Sequence, residues 1–213
     1  MDVKIKDTDS KSSDKEFEDD DYLIISIDST GIKVTNRGQW MKDKWDVRTK
    51  GYLKIHVAVN VKTKKKILSM KVTDDEHVHD SKAVPGLIKD IIKSDNSMIP
   101  IGKLFADDGA YDDNEIFKFL ADSGILPCIK VRRNAKVRWK KGNVLRNLSV
   151  LAQKNDLQKW KDSIVSYGKR WIAETVFSCL KRRFGEYVYS VRLKNMIQEM
   201  MLKASLYNKM ISV

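Results

Sequence analysis

Three acidic side chains of this 213-residue chain stand where a carboxylate can do chemistry. Asp28 closes an apolar run, Tyr22-Leu-Ile-Ile-Ser-Ile-Asp, and Asp107 or Asp108 follows a shorter one, Lys103-Leu-Phe-Ala. Such runs read as strands buried on both faces, and groups at strand ends are presented above a rigid sheet. An Asp after a strand can equally do no more than cap a turn. The third acid, Glu174, lies in a helix expected over residues 168–184. At roughly 100° per residue, Tyr167, Arg170, Glu174 and Lys181 fall within about 60° of one another. The apolar Ile172, Ala173, Val176, Phe177, Cys179, Leu180 and Phe184 take the opposite arc. An Arg–Glu pair at i,i+4 on an ordinary amphipathic helix would look the same. Two strand ends and one helix together, however, supply the oxygen donors that Mg²⁺ takes alongside substrate phosphate. A pair of such ions can activate an attacking oxygen and stabilise a leaving one in phosphodiester displacement.

The elements that must position these groups follow from the spacing of apolar residues. Residues 22–28 read as a strand ending at Asp28. Residues 52–61 alternate, with Leu53, Ile55, Val57, Val59 and Val61 on one face, and 66–73 read as a third strand, so an antiparallel meander opens the fold. Residues 80–93 switch to helical spacing after Asp80 or Ser81 as N-cap. A strand at 103–106, a helix at 113–122, a strand at 125–131 and helices at 168–184 and 194–211 follow. The expected fold class is α/β: a mixed central sheet flanked by helices.

Charge says what such a site would act on. The chain holds 41 Lys+Arg against 29 Asp+Glu, a net +12. Residues 1–21 hold nine acids and four lysines and read as a disordered tail. Residues 22–213 therefore carry a net +17. The densest basic stretch, 131–150, opens an insertion running to about 165. It carries Arg132, Arg133, Lys136, Arg138, Lys140, Lys141 and Arg146 with Trp139 among them and no acid. Clustered bases neutralise phosphates and an interleaved aromatic can stack on a base, so this stretch is expected to contact nucleic acid. No apolar run reaches the ~18 residues of a membrane span, and the acidic start is no signal peptide. Cys128 and Cys179 are too few for a disulfide framework, which fits a cytoplasmic, nucleoid-associated protein.

The sequence resembles the DDE-class transposases of insertion sequences, most closely the branch with a Tyr-x2-Arg-x3-Glu-x6-Lys signature. Here it reads Tyr167, Arg170, Glu174 and Lys181 within YGKRWIAETVFSCLKRRFG. The first family motif is similar to IDST, giving Asp28, and the second to ADDGAYD, where an Asp-x-x-Tyr-Asp spacing selects Asp108 over Asp107. DEHVHDSKA, around His79-Asp80-Ser81, resembles a further family stretch, and the likeness runs from about residue 22 to 208. The resemblance implies a ribonuclease H-like fold and Mg²⁺-dependent cutting and joining of double-stranded DNA at terminal inverted repeats and target DNA, with Mn²⁺ able to substitute. Asp28, Asp108 and Glu174 would be catalytic and hold the metals. Arg170 and Lys181 would contact phosphate, and Tyr167 would support that surface. Such transposases generally carry a helical DNA-binding region before the first catalytic Asp. Only 27 residues precede Asp28, so an N-terminally truncated copy or a shorter variant is expected. The alternatives are a nuclease of the same fold that cuts without joining, and a non-catalytic DNA-binding remnant.

Other residues carry less. His77 and His79 alternate around Val78 but have no Cys or third His nearby in sequence, so they and His56 are expected in structural or capping roles. Trp40 and Trp45 suit a DNA-contacting hairpin as well as a core. The methionines of 196–210, at helical spacing, suit core or homodimer packing. If the basic stretch touches phosphates, Lys140→Ala with Lys141→Ala flattens the salt dependence of DNA affinity. The slope of log K against log salt should fall by roughly one for each phosphate no longer neutralised, read from binding titrations at several salt concentrations.

Overall fold

Apolar alternation does not stop at Asp28. Ile24, Ile32 and Val34 point to one side and Ile25 and Ile27 to the other, all buried. These residues form one twelve-residue strand, β1 (Leu23–Val34). The expectation of a strand ending at Asp28 is thereby corrected: Asp28 sits in mid-strand, because the β-branched Thr30, Ile32 and Val34 carry the extended pattern onward. The computed structural model describes residues 22–35, 51–62, 65–74, 79–94, 99–107, 109–140, 143–164 and 166–212. Residues 1–21, with the acidic tail, and Trp40 and Trp45 lie outside them.

Strand β1 pairs antiparallel with β2 (Tyr52–Asn60), from Ile25–Asn60 to Lys33–Tyr52, and β2 pairs antiparallel with β3 (Ile67–Thr73). This is the expected meander. Helix α1 (Asp80–Ser94) returns the chain to β4 (Ile101–Ala106), parallel to β1 on its free side. Helix α2 (Asn114–Asp122) then leads to β5 (Leu126–Ile129), parallel to β4. The strand order is β3-β2-β1-β4-β5, with β1 in the middle. The short β6 (Tyr187–Val188) pairs with Lys33 and Val34 at the far end of β1. Among the described residues, the stretch of β1 between its β4 and β6 partners has β2 as its one strand partner. A mixed sheet of this order, flanked by helices, is the ribonuclease H-like arrangement.

Each face of the sheet has its own apolar layer. Helices α5 (Ile172–Phe184) and α6 (Leu193–Ile211) cover one, with Tyr167, Ala173, Val176, Met196 and Met200 against Ile24, Val57 and Phe105. Helices α1 and α2 cover the other, with Val84, Leu87, Phe117 and Leu120 against Ile25, Ile27 and Leu104. Among the described residues no helix is long and apolar enough to cross a membrane.

The insertion that reads as basic loop contains two helices, α3 (Val144–Asn155) and α4 (Leu157–Asp162). Periodicity hides α3 because its inward face is polar. The Gln153 amide donates to Ile129 O (2.9 Å) and accepts from Val131 N (3.0 Å), and Asn147 Oδ1 accepts from Arg138 N (3.0 Å). Arg146, expected with the other bases at the surface, is buried against Asp112, with Nε–Oδ1 2.6 Å and Nη2–Oδ2 3.0 Å. The 131–150 stretch lacks acids of its own but borrows this one.

Gly185, at φ 77°, ends α5 in a conformation that L side chains rarely adopt. Beyond it, Glu199 of α6 closes the return loop by accepting from Tyr189 N, Ser190 N (2.9 Å) and Lys203 Nζ (2.9 Å). Burial opposes its charge, but these bonds outweigh burial and hold the carboxyl down at about 2, from an ordinary 4.5. A depressed carboxyl stabilises the fold above its unfolded value and ceases to do so as pH falls through the folded one. Glu199→Gln should therefore narrow its stability gap to the wild type as pH drops from 4.5 toward 2, as denaturant midpoints would show.

Candidate active site

The site is built on the side of β1 that faces α5. Successive strand residues alternate faces, so Ser26, Asp28 and Thr30 point the same way. Ser26 Oγ donates to Arg170 O (2.7 Å) at the start of the α5 region, and Lys181 Nζ donates to Thr30 Oγ1 (3.0 Å) near its end. Four residues of strand advance about 13 Å, and eleven residues of mostly helical chain advance about 16 Å. The two segments therefore run side by side in near register, with Asp28 and Glu174 between the two fastenings. A cavity of about 200 Å³ opens there, lined by Ser26, Ile27, Asp28, Asp107, Arg170 and Glu174.

Asp107 enters from β4. The last parallel pair of β1 and β4 is Ser26–Phe105, and Asp28 and Asp107 each lie two residues beyond it. Their arrival at one place is thus a consequence of strand register. The Asp107 carboxylate pairs with the Arg170 guanidinium and lies 3.5 Å from Lys130 Nζ. Asp108, the residue that motif spacing selects, lies outside the described residues. Asp28 is half-buried and accepts from Ser29 N at Oδ1 (2.8 Å), while Glu174 is exposed. Among the described residues no three His, Cys, Asp or Glu side chains stand as a ready-made metal cluster. The donor set of Asp28 and Glu174, all carboxylate oxygen at a polar, water-accessible cavity, is of the kind that suits a hard cation.

The four-residue stripe is not one helix face. Tyr167–Lys169 is a 3₁₀ turn, Arg170 and Trp171 follow it, and α5 begins only at Ile172. Ser166, in the left-handed region at φ 67°, swings the chain so that Tyr167 drops inward. Tyr167 is 3% exposed and sits edge-on between Phe105 (5.8 Å) and Trp160 (5.0 Å). Burial first, and the Asp107 charge next, push its phenol up from the ordinary value. The ring, expected at a DNA-contacting surface, is packed inside the protein at the turn that carries Arg170.

Of the expected basic contacts, Arg132, Arg133, Arg138 and Lys140 are exposed, as is Trp139 (59%), while Lys141 lies outside the described residues. Arg132 Nε donates to Gly109 O (2.6 Å), which fastens the basic stretch to the loop after Asp107. A second cavity, of about 600 Å³, is lined by Arg132, Lys136 and Arg138 together with His79, Asn114 and Asn134. His79 precedes α1 and caps it through its carbonyl, which accepts from Lys82 N (2.9 Å). His56 is fully buried. Desolvation, the largest effect, pushes its pKa below the usual value, with Asp80 opposing and Lys54 adding to the fall. His77 lies outside the described residues. Cys179 packs at the edge of the α5 layer.

Ser26 and Thr30 are site residues that the sequence pattern does not single out. The motif IDST nevertheless carries Thr30 two residues past Asp28, where alternation puts both on one face of an extended strand.

Residues 19–209 match the family described as Transposase DDE domain.

Because Tyr167 supports the turn from within, Tyr167→Ala should lower stability by about 3–5 kcal/mol, as for other buried rings. Tyr167→Phe should leave DNA affinity at the wild-type value. Denaturant unfolding and a metal-free binding titration measure the two.

Proposed function

From the premise that the chain belongs to the Transposase DDE domain family, we propose that Asp28, Glu174 and an acid of the Asp107-Asp108 pair form its catalytic centre. The family's activity is DNA cleavage and strand transfer in transposition. The chain is accordingly a DNA-binding enzyme of a family that uses divalent metal. The observation that carries the site assignment is the shared cavity, where Asp28 from β1, Asp107 from β4 and Glu174 from α5 line one space.

On this reading the centre takes Mg²⁺, with Mn²⁺ as a substitute, held by Asp28, Glu174 and Asp108. What bound ions supply is activation of the attacking oxygen and stabilisation of the leaving oxygen of a phosphodiester. The protein's own groups do the rest. Lys181 meets a phosphate through an ammonium that carries more than one donor, a reading supported by its tether to Thr30 near Asp28. Arg170 holds Asp107 in the protein alone and turns part of its fork to phosphate when DNA arrives. Arg132, Arg133, Arg138, Lys140 and Lys141 continue the basic track across the 131–140 stretch and just past it, with Trp139 as a stacking platform.

The same reading takes residues 22–213 as the catalytic domain with 1–21 as an acidic tail, and the signature Tyr167, Arg170, Glu174 and Lys181 as the mark of its branch. The DNA partners are terminal inverted repeats and target DNA. A homodimer is served by the outer face of α6, where Leu202, Leu206 and Met210 recur at helical spacing and are exposed.

Nicking and strand transfer on DNA carrying the element's ends, assayed in Mg²⁺ and Mn²⁺, test the assignment. Asp28→Asn, Asp108→Asn and Glu174→Gln should each reduce the rate by at least about a hundredfold, a loss expected when groups that stabilise transition-state charge are removed. Activity equal to wild type in these variants refutes the assignment, and cleavage without joining identifies a nuclease.

A further inference from the structure

The opposite face of β1, directly behind Asp28, holds a buried polar cluster that cleavage chemistry does not itself require. Asp80, the first residue of α1, is 5% exposed, and few carboxylates are buried so deeply without dedicated partners. Its Oδ1 pairs with Lys54 Nζ and lies 3.7 Å from His56 Nδ1, and its Oδ2 accepts from Ser29 Oγ at 3.0 Å. Lys54 and His56 both come from β2, which is bonded to this part of β1 through the pairs Ser29–His56 and Gly31–Lys54. Two strands therefore converge on one carboxylate of α1.

Ser29 is the link to the site. Its hydroxyl donates backward to Asp80, and its backbone N–H donates forward to Asp28 Oδ1 at 2.8 Å. A residue held at its side chain has its peptide plane restrained, and that plane fixes one oxygen of Asp28. Among the described residues β1 has no β4 partner at this point, since the parallel pairing ends at Ser26–Phe105. Here the strand is held by its β2 ladder, by Lys181 at Thr30 on the front face and by Asp80 at Ser29 from behind.

We propose that Asp80, charge-balanced by Lys54, is a positioning residue that acts through Ser29 to set the Asp28 carboxylate for metal binding. The inference rests on the assignment of Asp28 as a ligand. It goes beyond that assignment by giving a role to residues on the other face of the sheet. Outer partners that orient a ligand commonly contribute ten- to a hundredfold to metal affinity.

The test uses the full chain and Mn²⁺ alone, with free Mn²⁺ read by electron paramagnetic resonance, and DNA affinity measured in chelator as a control. Ser29→Ala removes the hydroxyl and leaves the amide. It should weaken Mn²⁺ binding about tenfold, with thermal midpoint and metal-free DNA affinity close to wild type. Ser29→Thr, which restores a hydroxyl and suits a strand, should recover the affinity. Asp80→Asn should match Ser29→Ala in Mn²⁺ binding. Should Asp80→Asn fail to fold because Lys54 is left uncompensated, the Ser29 pair of variants decides alone. Wild-type Mn²⁺ affinity in folded Ser29→Ala overturns the inference while Asp28→Asn still abolishes binding. Wild-type affinity in Asp28→Asn overturns both the inference and the ligand assignment beneath it.

Discussion

From Ile24 to Thr30 the central strand β1 is covered on both faces of the sheet and none of its residues is fully exposed, and that constraint on β1 organises the whole molecule. Its residues alternate between two helical layers. A polar residue in that covered part of β1 must therefore find a partner in one of those layers or open a cavity. Ser26, Asp28 and Thr30 point toward α5 and do both. Ser26 and Thr30 are bonded to the Arg170 carbonyl and to Lys181, and Asp28 faces the space between. Ser29, one step out of phase, finds Asp80 on the other side. The short stretch Asp28-Ser-Thr thus sends polar groups both ways through an otherwise apolar sheet.

This arrangement explains why the cavity opens where pairing is thinnest. β4 accompanies β1 only to Ser26, and β6 joins it only at Lys33. The interval leaves room beside Asp28 for the side chains of Asp107, Arg170 and Glu174. A continuous parallel partner would fill that room with ladder hydrogen bonds and with its own side chains. The buried ion pair of Asp112 with Arg146 works similarly at the rim, fastening the basic stretch to the loop that follows Asp107. Such a pair is weak support for stability by itself, since desolvation consumes much of its attraction. Its clearer consequence is geometric, because it fixes where Arg132 and Arg138 stand relative to the site.

How much of this is legible in the sequence depends on whether the signal is local. The meander of β1, β2 and β3 is readable because Leu53, Ile55, Val57 and Val59 alternate without interruption. The core of α5 is readable from the period of Ile172, Ala173, Val176 and Phe177. The end of β1 is misleading because Asp28 looks like punctuation, whereas the strand continues through Thr30 and Ile32. Helix α3 escapes notice because Asn147 and Gln153, among its inward residues, bond to the backbone of Arg138, Ile129 and Val131, which no periodicity reveals. Tyr167 falls on a surface stripe only if a uniform turn of 100° is carried through a segment that is 3₁₀ and left-handed at its start.

What the sequence determined by itself was composition and phase: which residues are acidic, which segments extend or coil, and which side chains share a face. Those are properties of the covalent chain and of periods of two and 3.6 residues, and they suffice to nominate Asp28 and Glu174. Only the tertiary structure decided which groups meet. Strand register brings Asp107 level with Asp28, packing of α5 along β1 sets Glu174 opposite, and the fold buries Tyr167 and Arg146, which the sequence places among the candidate DNA contacts. Meeting is decided by close packing between segments far apart in sequence. Their mutual offset is set by the sheet's hydrogen bonds and the fit of two apolar layers, and no local pattern encodes that offset.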